Sequence, residues 1–219
     1  MAMDEAEITR RLNACYTGIV HDVMRAMGLK NFTLPVELRP ILPEASLAGP
    51  IFTIEGRVDA AADAHQTLVE WTGLLSKTKP GHIWVSQPND RTVAHMGELS
   101  AETLKGKGVL GCLVDGYVRD VNFLLEMRFQ TWSRGFTPRD IVGYWLPTAF
   151  DEPIVIGDVT CKPGDFLLAD RDGAICIARD IVQSVVEQAE TAMSTENNVR
   201  KAILQGTDPQ EAYLRFGKF

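Results

Sequence analysis

Gly108-Val109-Leu110-Gly111-Cys112-Leu113-Val114-Asp115-Gly116-Tyr117-Val118-Arg119-Asp120 is the stretch whose reading decides the fold. Its apolar run, 109–114 with one glycine inside it, reads as a strand buried on both faces, and Asp115-Gly116 reads as the turn that ends it. Open α/β sheets place ligands just past the carboxyl ends of such strands. Tyr117-Val118-Arg119-Asp120 falls there and sets a cation beside an anion. The donor fork of an arginine clamps a carboxylate or an enolate, and an aspartate holds a hard divalent cation. Taken alone, the two residues fit equally well in the first turn of a solvated helix, where the dipole favours an acid.

On the amino side of this strand, Gly97-Glu98-Leu99-Ser100 leads into a helix over 101–107. Backbone N–H groups at a helix start are unpaired and point outward, which suits a small anion such as a carboxylate. Gly97 removes the Cβ that would obstruct close approach. Glu98 reads either as an acid or base beside that site or as an ordinary first-turn acid. Further back, the periodicity predicts a strand over 51–59, a helix over 60–77 and a short strand over 82–86. Four prolines between 35 and 50 predict a surface connection. Residues 4–28 carry a helical stripe capped by Asp4 and stopped by Gly28, with Thr17 able to open a second helix inside it.

Beyond Asp120, a helix over 121–127 and a strand over 129–133 are expected, then a loop in which Arg134 binds substrate or pairs with a neighbouring acid. Short β-runs at 153–156, 159–161, 166–169 and 174–177, separated by glycine-bearing turns, predict antiparallel structure. A helix over 180–205 closes the pattern. The tail after Gly206 carries Tyr213, Leu214, Phe216 and Phe219, and exposed apolar residues there predict a subunit contact. Trp132, Tyr144 and Trp145 read as pocket wall or as core.

Composition sets outer limits. The 219 residues suit one large core, and 45% hydrophobic with 23% charged residues describes a soluble globular protein. A net charge of -7 disfavours nucleic acid as a partner. Cys15, Cys112, Cys161 and Cys176 lack metal-ligand spacing and read as reduced core residues of a cytoplasmic protein. The acidic start does not resemble a signal peptide, and no apolar run approaches the roughly 20 residues that span a bilayer. His65 and His82 have no partner at ligand spacing and read as structural.

With Glu98, Arg119 and Asp120 in view, the chain resembles the RraA-like superfamily, which joins the regulator of ribonuclease activity A to class II pyruvate aldolases. Those aldolases cleave 4-hydroxy-4-methyl-2-oxoglutarate and 4-carboxy-4-hydroxy-2-oxoadipate. Their hallmark is an acid, twenty residues, then Arg-Asp, and Glu98 and Arg119-Asp120 match it. Arg134-Gly135-Phe136-Thr137-Pro138, Pro163-Gly164-Asp165 and Asp170-Arg171-Asp172-Gly173 extend the likeness along the chain.

The resemblance implies an α/β fold: a compact αββα-type sandwich with swivelling-domain-like central β-structure, flanking helices and a long C-terminal helix. It implies one domain over 1–219, whose segment 180–219 packs on a neighbouring subunit of a trimer or hexamer. Asp120 would hold Mg²⁺ or Mn²⁺, and Arg119 would stabilise an enolate oxygen. Amides from Gly97, Glu98, Leu99 and Ser100 would bind the pyruvyl carboxylate. Glu98, where the aldolases more often carry aspartate, would position the water that protonates the methyl carbon. Glu196 is the candidate second acid, offered across a subunit boundary. The implied activity is a metal-dependent carbon–carbon lyase that releases pyruvate from a 4-hydroxy-2-oxo acid, with decarboxylation of oxaloacetate beside it. The alternative is a non-catalytic protein that binds and inhibits a ribonuclease; the intact Arg-Asp pair favours catalysis.

Overall fold

Asp4 caps the first helix, α1 (Glu5–Leu12), by accepting the Glu7 N–H at 2.8 Å, and α2 (Thr17–Ala26) begins at Thr17, so the stripe over 4–28 is two helices. Tyr16, at the start of α2, offers no capping side chain. Asp170 replaces it from far along the chain, accepting the Thr17 N–H at 2.8 Å and the Thr17 hydroxyl at 2.7 Å. The structure is a computed structural model that describes residues 3–218; Phe219, expected to contribute to a subunit contact, lies outside them.

In chain order there follow β1 (Arg39–Pro40), β2 (Leu47–Val58), α3 (Ala64–Ser76), β3 (Ile83–Gln87), α4 (Glu98–Gly106), β4 (Gly111–Val118) and α5 (Val121–Glu126). Then come β5 (Thr131–Phe136), β6 (Trp145–Phe150), β7 (Ile154–Ile156), β8 (Val159–Cys161), β9 (Phe166–Ala169), β10 (Ala174–Ile177), α6 (Val182–Leu204) and α7 (Pro209–Phe216). The main sheet runs β1-β5-β4-β3-β2-β9-β10, with β6 also paired to β2, and β7-β8 forms a separate hairpin. Strands β2, β3, β4 and β5 pair in parallel and are joined by α3, α4 and α5. The later strands pair antiparallel. This is the mixed α/β fold with flanking helices and a long C-terminal helix that the resemblance implied.

Three apolar layers hold it. Trp71, Leu104 and Leu124 of α3, α4 and α5 pack on Phe52, Trp84 and Cys112 of the parallel strands. On the opposite face, Ile83, Leu113 and Trp132 meet the β7-β8 hairpin. Helices α1, α2 and α6 cover β9 and β10 through Ile19, Val185 and Ala189. Among the described residues, no helix is long and apolar enough to cross a membrane.

Two local expectations are corrected, and two segments with no expected element gain one. Strand β2 starts at Leu47, inside the proline-rich segment, because Pro50 falls at the last pair with β9 and just before the first pair with β3, where its missing N–H interrupts no ladder. The chain does not turn at Asp115-Gly116. Strand β4 continues to Val118 with a register shift against β5 between Val114 and Tyr117, and Asp115 is kept in the strand by Arg134 Nε at 2.5 Å. Strand β6 lies between the Arg134 loop and the run at 153–156, where no element was expected. Trp145, its first residue, is fully buried and donates its indole N–H to the Pro88 carbonyl at 2.8 Å. The tail is a helix, α7, opened by Asp208 and Pro209.

Candidate active site

Arg119 and Asp120 sit where β4 ends, as the sequence places them, but Asp120 does not serve its own helix. Its backbone is left-handed (φ 57°, ψ 37°), and its side chain makes no cap bond to α5. Aspartate tolerates that region better than most residues, at a cost of about 1–2 kcal/mol. The consequence is that the carboxylate caps the neighbouring helix instead. Asp120 Oδ2 accepts the Glu98 N–H at 3.1 Å at the start of α4, and it lies 3.4 Å from Arg119 Nε.

Gly97 makes this approach possible. A Cβ there would stand 2.6 Å from Asp120 Oδ2, 3.1 Å from Arg119 Cγ and 3.2 Å from Arg119 Nε. Its φ of -150° is open to any residue, so the demand is for space alone. Backbone bonds fix the same register: Arg119 N–H donates to the Met96 carbonyl at 2.9 Å, and His95 N–H to that of Tyr117 at 2.8 Å. Arg119 reaches a second acid, with Nη1 at 3.3 Å from Asp140 Oδ2. Both contacts are long, and its side chain is about a third exposed, so the guanidinium stays available to a ligand.

Because Glu98 gives its N–H to Asp120, the amides of Leu99 and Ser100 remain as the outward-facing donors of the first turn. Ser100 is held in place from α3, its hydroxyl oxygen accepting the Trp71 indole N–H at 2.9 Å. Gly97, Glu98, Leu99, Ser100, Arg119 and Asp120 line one cleft of about 500 Å³, closed on the other side by α3 and by Asp140, Ile141 and Val142. The cleft is within the size range of small-molecule sites.

Glu196 stands elsewhere in the chain. On α6 it accepts the Tyr16 hydroxyl at 2.6 Å and pairs with Arg200 at 3.0 Å, lining a different pocket between α6 and α2. Arg134 is committed to Asp115 in a pair whose side chains are 7% and 13% exposed; burial raises the Asp115 pKa against the pull of the guanidinium. Trp132 and Trp145 are core, whereas Tyr144 is partly buried, its hydroxyl 3.1 Å from that of Thr92. His82 Nδ1 lies 3.0 Å from the Pro80 carbonyl oxygen.

Two residues that matter here were not singled out from the sequence. Asp140 lies in an irregular segment with no period to reveal its direction. His95 is buried directly behind the cleft, Nε2 at 3.1 Å from Asp90 Oδ2 and the ring edge-on to Trp145. Burial pushes the His95 pKa down to about 4, against the pull of Asp90. Burial also opposes charge on Asp90, yet bonds from Thr92, Val93 and His95 hold it down to about 2. At neutral pH the ring is therefore neutral and donates its Nε2–H to an ionised carboxylate, leaving Nδ1 buried without a partner. An Asp-x-x-x-x-His spacing at the end of a buried strand was the available clue.

Among the described residues, no three His, Cys, Asp or Glu side chains converge as a closed metal cage. The candidate metal donors at the cleft are carboxylate oxygens, and among the described residues Asp120 Oδ1 has no hydrogen-bond partner, the contacts to Glu98 and Arg119 being made by Oδ2. That suits a hard divalent cation that keeps most of its waters and takes one or two carboxylates.

The RraA-like family model, Aldolase/RraA, matches residues 17–176, so the chain belongs to that family. An uncharacterized protein of Methanocaldococcus jannaschii is 28% identical, over 85% of this chain and 92% of its own. A Halalkalibacterium halodurans protein named as a candidate 4-hydroxy-4-methyl-2-oxoglutarate aldolase is 24% identical, over 98% of this chain and 97% of its own. Among solved structures, Streptomyces coelicolor RraAS2, described as an unusual member of the RNase ES inhibitor RraA family, superposes with a TM-score of 0.79. It covers 91% of this chain and 98% of its own at 24% identity, a likeness that speaks for the fold alone.

Proposed function

We propose that the cleft catalyses enolate chemistry on 2-oxo acids: cleavage of a 4-hydroxy-2-oxo acid to pyruvate and a carbonyl product, with decarboxylation of oxaloacetate as a second outlet. The observation that carries this reading is the nesting of Arg119 and Asp120 against the start of α4, which joins a cation, an unpartnered carboxylate oxygen and two free amides in one cavity. The aldolase name borne by the Halalkalibacterium relative points the same way.

In this reading the Leu99 and Ser100 amides bind the substrate carboxylate, aided by the positive end of α4. As the C4 hydroxyl gives its proton to the water at Glu98 and becomes a carbonyl, the C3–C4 bond breaks, its electron pair moves into C2–C3 and negative charge builds on the 2-oxo oxygen. Arg119 donates to that oxygen. Glu98 holds the water that returns a proton to C3, which becomes the methyl group of pyruvate. A Mg²⁺ or Mn²⁺ held by Asp120 would supply Lewis acidity in the same cleft. Assembly as a trimer or hexamer belongs to the reading too, supported by Leu204 and Leu214, which stand 81% and 75% exposed at the C-terminal helices. Glu196 would then act only from a neighbouring protomer.

Pyruvate release from oxaloacetate and from 4-hydroxy-4-methyl-2-oxoglutarate, with Mg²⁺ or with EDTA, tests the proposal. Metal-dependent release that is lost in Asp120→Ala is expected. No release from either acid, together with tight binding to a ribonuclease E-type enzyme, would make the chain an inhibitor instead.

A further inference from the structure

A guanidinium on a long flexible stem is a good oxyanion donor only when its plane is fixed before the charge develops. Arg119 Nε lies 3.4 Å from Asp120 Oδ2, and Nη1 lies 3.3 Å from Asp140 Oδ2. Its remaining nitrogen, Nη2, makes no hydrogen bond among the described residues. Asp140 is itself held. Its other oxygen, Oδ1, accepts the Val142 N–H at 3.1 Å, and the carbonyl of the preceding Arg139 accepts the Ala94 N–H at 2.8 Å. Ala94 bridges in turn to Tyr117, two residues before Arg119, and Thr137 donates its N–H to the Val118 carbonyl at 3.1 Å. The segment that carries Asp140 is thus pinned to the same end of β4 that carries Arg119. These contacts are all made within one protomer.

We infer that Asp140 is a positioning residue for Arg119: it draws Nη1 across the cleft, so that the guanidinium does not close onto Asp120 and Nη2 is kept for the 2-oxo oxygen of the ligand. The inference rests on the enolate reading above and adds a residue to it. With Asp140 removed, Asp120 is the acid left to Arg119. A tightened Arg119–Asp120 pair would occupy the oxyanion donors and the carboxylate together, since such pairs favour two parallel bonds. Asp140 touches no reacting atom in this arrangement, so its effect belongs in kcat. The substrate carboxylate is held by the Leu99 and Ser100 amides, whose places on α4 do not depend on it.

Asp140→Asn tests this without disturbing the loop. Its Oδ1 still accepts the Val142 N–H, while an NH₂ group, itself a donor, replaces the oxygen that faces Nη1. Exchange of the methyl protons of pyruvate with deuterated water, and kcat and KM for oxaloacetate with Mg²⁺, are measured for the parent, Asp140→Asn, Arg119→Ala and the double variant, beside their thermal midpoints. For Asp140→Asn a fall in kcat on the order of 10- to 100-fold is expected, as for misplacement by up to an ångström, with KM and midpoint close to those of the parent. In the Arg119→Ala background the same substitution should change kcat by less than about twofold, because the two residues act as one unit. A parent that exchanges pyruvate while Asp140→Asn keeps or raises kcat, or an equal loss in both backgrounds, overturns the inference and leaves the enolate reading standing. A parent that neither exchanges pyruvate nor releases it from oxaloacetate removes the reading and the inference together.

Discussion

Arg134–Asp115, across strands β5 and β4, and Arg119–Asp120, just past the end of β4, are the same chemical pair built twice, and they do different work. The first is tight, 2.5 Å between Arg134 Nε and Asp115 Oδ1, with both side chains nearly out of water. The second is loose, 3.4 Å, about a third exposed, and opens on a cleft beside free backbone amides. Burial beside Asp115 and Glu37 makes Arg134 part of the frame. Partial exposure leaves Arg119 with donors to spare and makes it fit for a ligand. A basic residue near a strand end therefore acquires its role from how far the fold buries it against its partners.

The sharpest way to break this contrast is to truncate each arginine. Arg134→Ala would leave Asp115 buried and uncompensated, and chemical denaturation should show a loss of about 3–5 kcal/mol. Arg119→Ala should leave the denaturation midpoint close to that of the parent while kcat for pyruvate release falls on the order of 10²- to 10³-fold, as when one oxyanion donor is removed. A large stability loss for Arg119→Ala, or normal kcat, would erase the difference between the two pairs.

The buried His95–Asp90 pair gives a third, pH-dependent point on the same scale. Its imidazole binds a proton near pH 4 when folded and near 6.5 when unfolded, so between those values the unfolded chain holds more protons and acidification destabilises the fold. The loss should reach about 3 kcal/mol on going from pH 7 to 4, with Asp90 adding to it only below its ordinary carboxylate range. Thermal midpoints of the parent and of His95→Gln check this: the variant should show a flatter profile. The smallest effect is expected at Gly97→Ala. Its new Cβ would push Asp120 Oδ2 from 2.6 Å by several tenths of an ångström, and kcat should fall roughly tenfold, given that a full ångström of misplacement costs on the order of 10²-fold.

Much of this was legible in the sequence because it depends on local signals. The run 109–114 is apolar on both faces and became the buried centre of β4, and Gly97 followed by a helix became the cap of α4. The four short β-runs after residue 153 correspond to β7 through β10, since glycine turns bound them. What escaped depended on contacts between distant segments. Asp115-Gly116 has turn chemistry, but Arg134 on β5 holds it extended. Trp145 sits in a stretch with loop-like neighbours, yet pairing with β2 makes it a strand residue. Asp140 has no periodic context, and only the folded chain brings it to Arg119. Glu196 shows the limit from the other side: helical position was readable, whereas its engagement with Tyr16 and Arg200 was not.

The central claim is that Asp120 and Arg119 generate a pyruvate enolate in the cleft at the start of α4. The most direct measurement is deuterium exchange into the methyl group of pyruvate, followed by NMR, for the parent chain and for Asp120→Ala with Mg²⁺ or Mn²⁺ supplied. Exchange that requires the metal and disappears in Asp120→Ala is the predicted result. A parent chain that leaves pyruvate unexchanged, or an Asp120→Ala variant that exchanges it as fast as the parent, would contradict it.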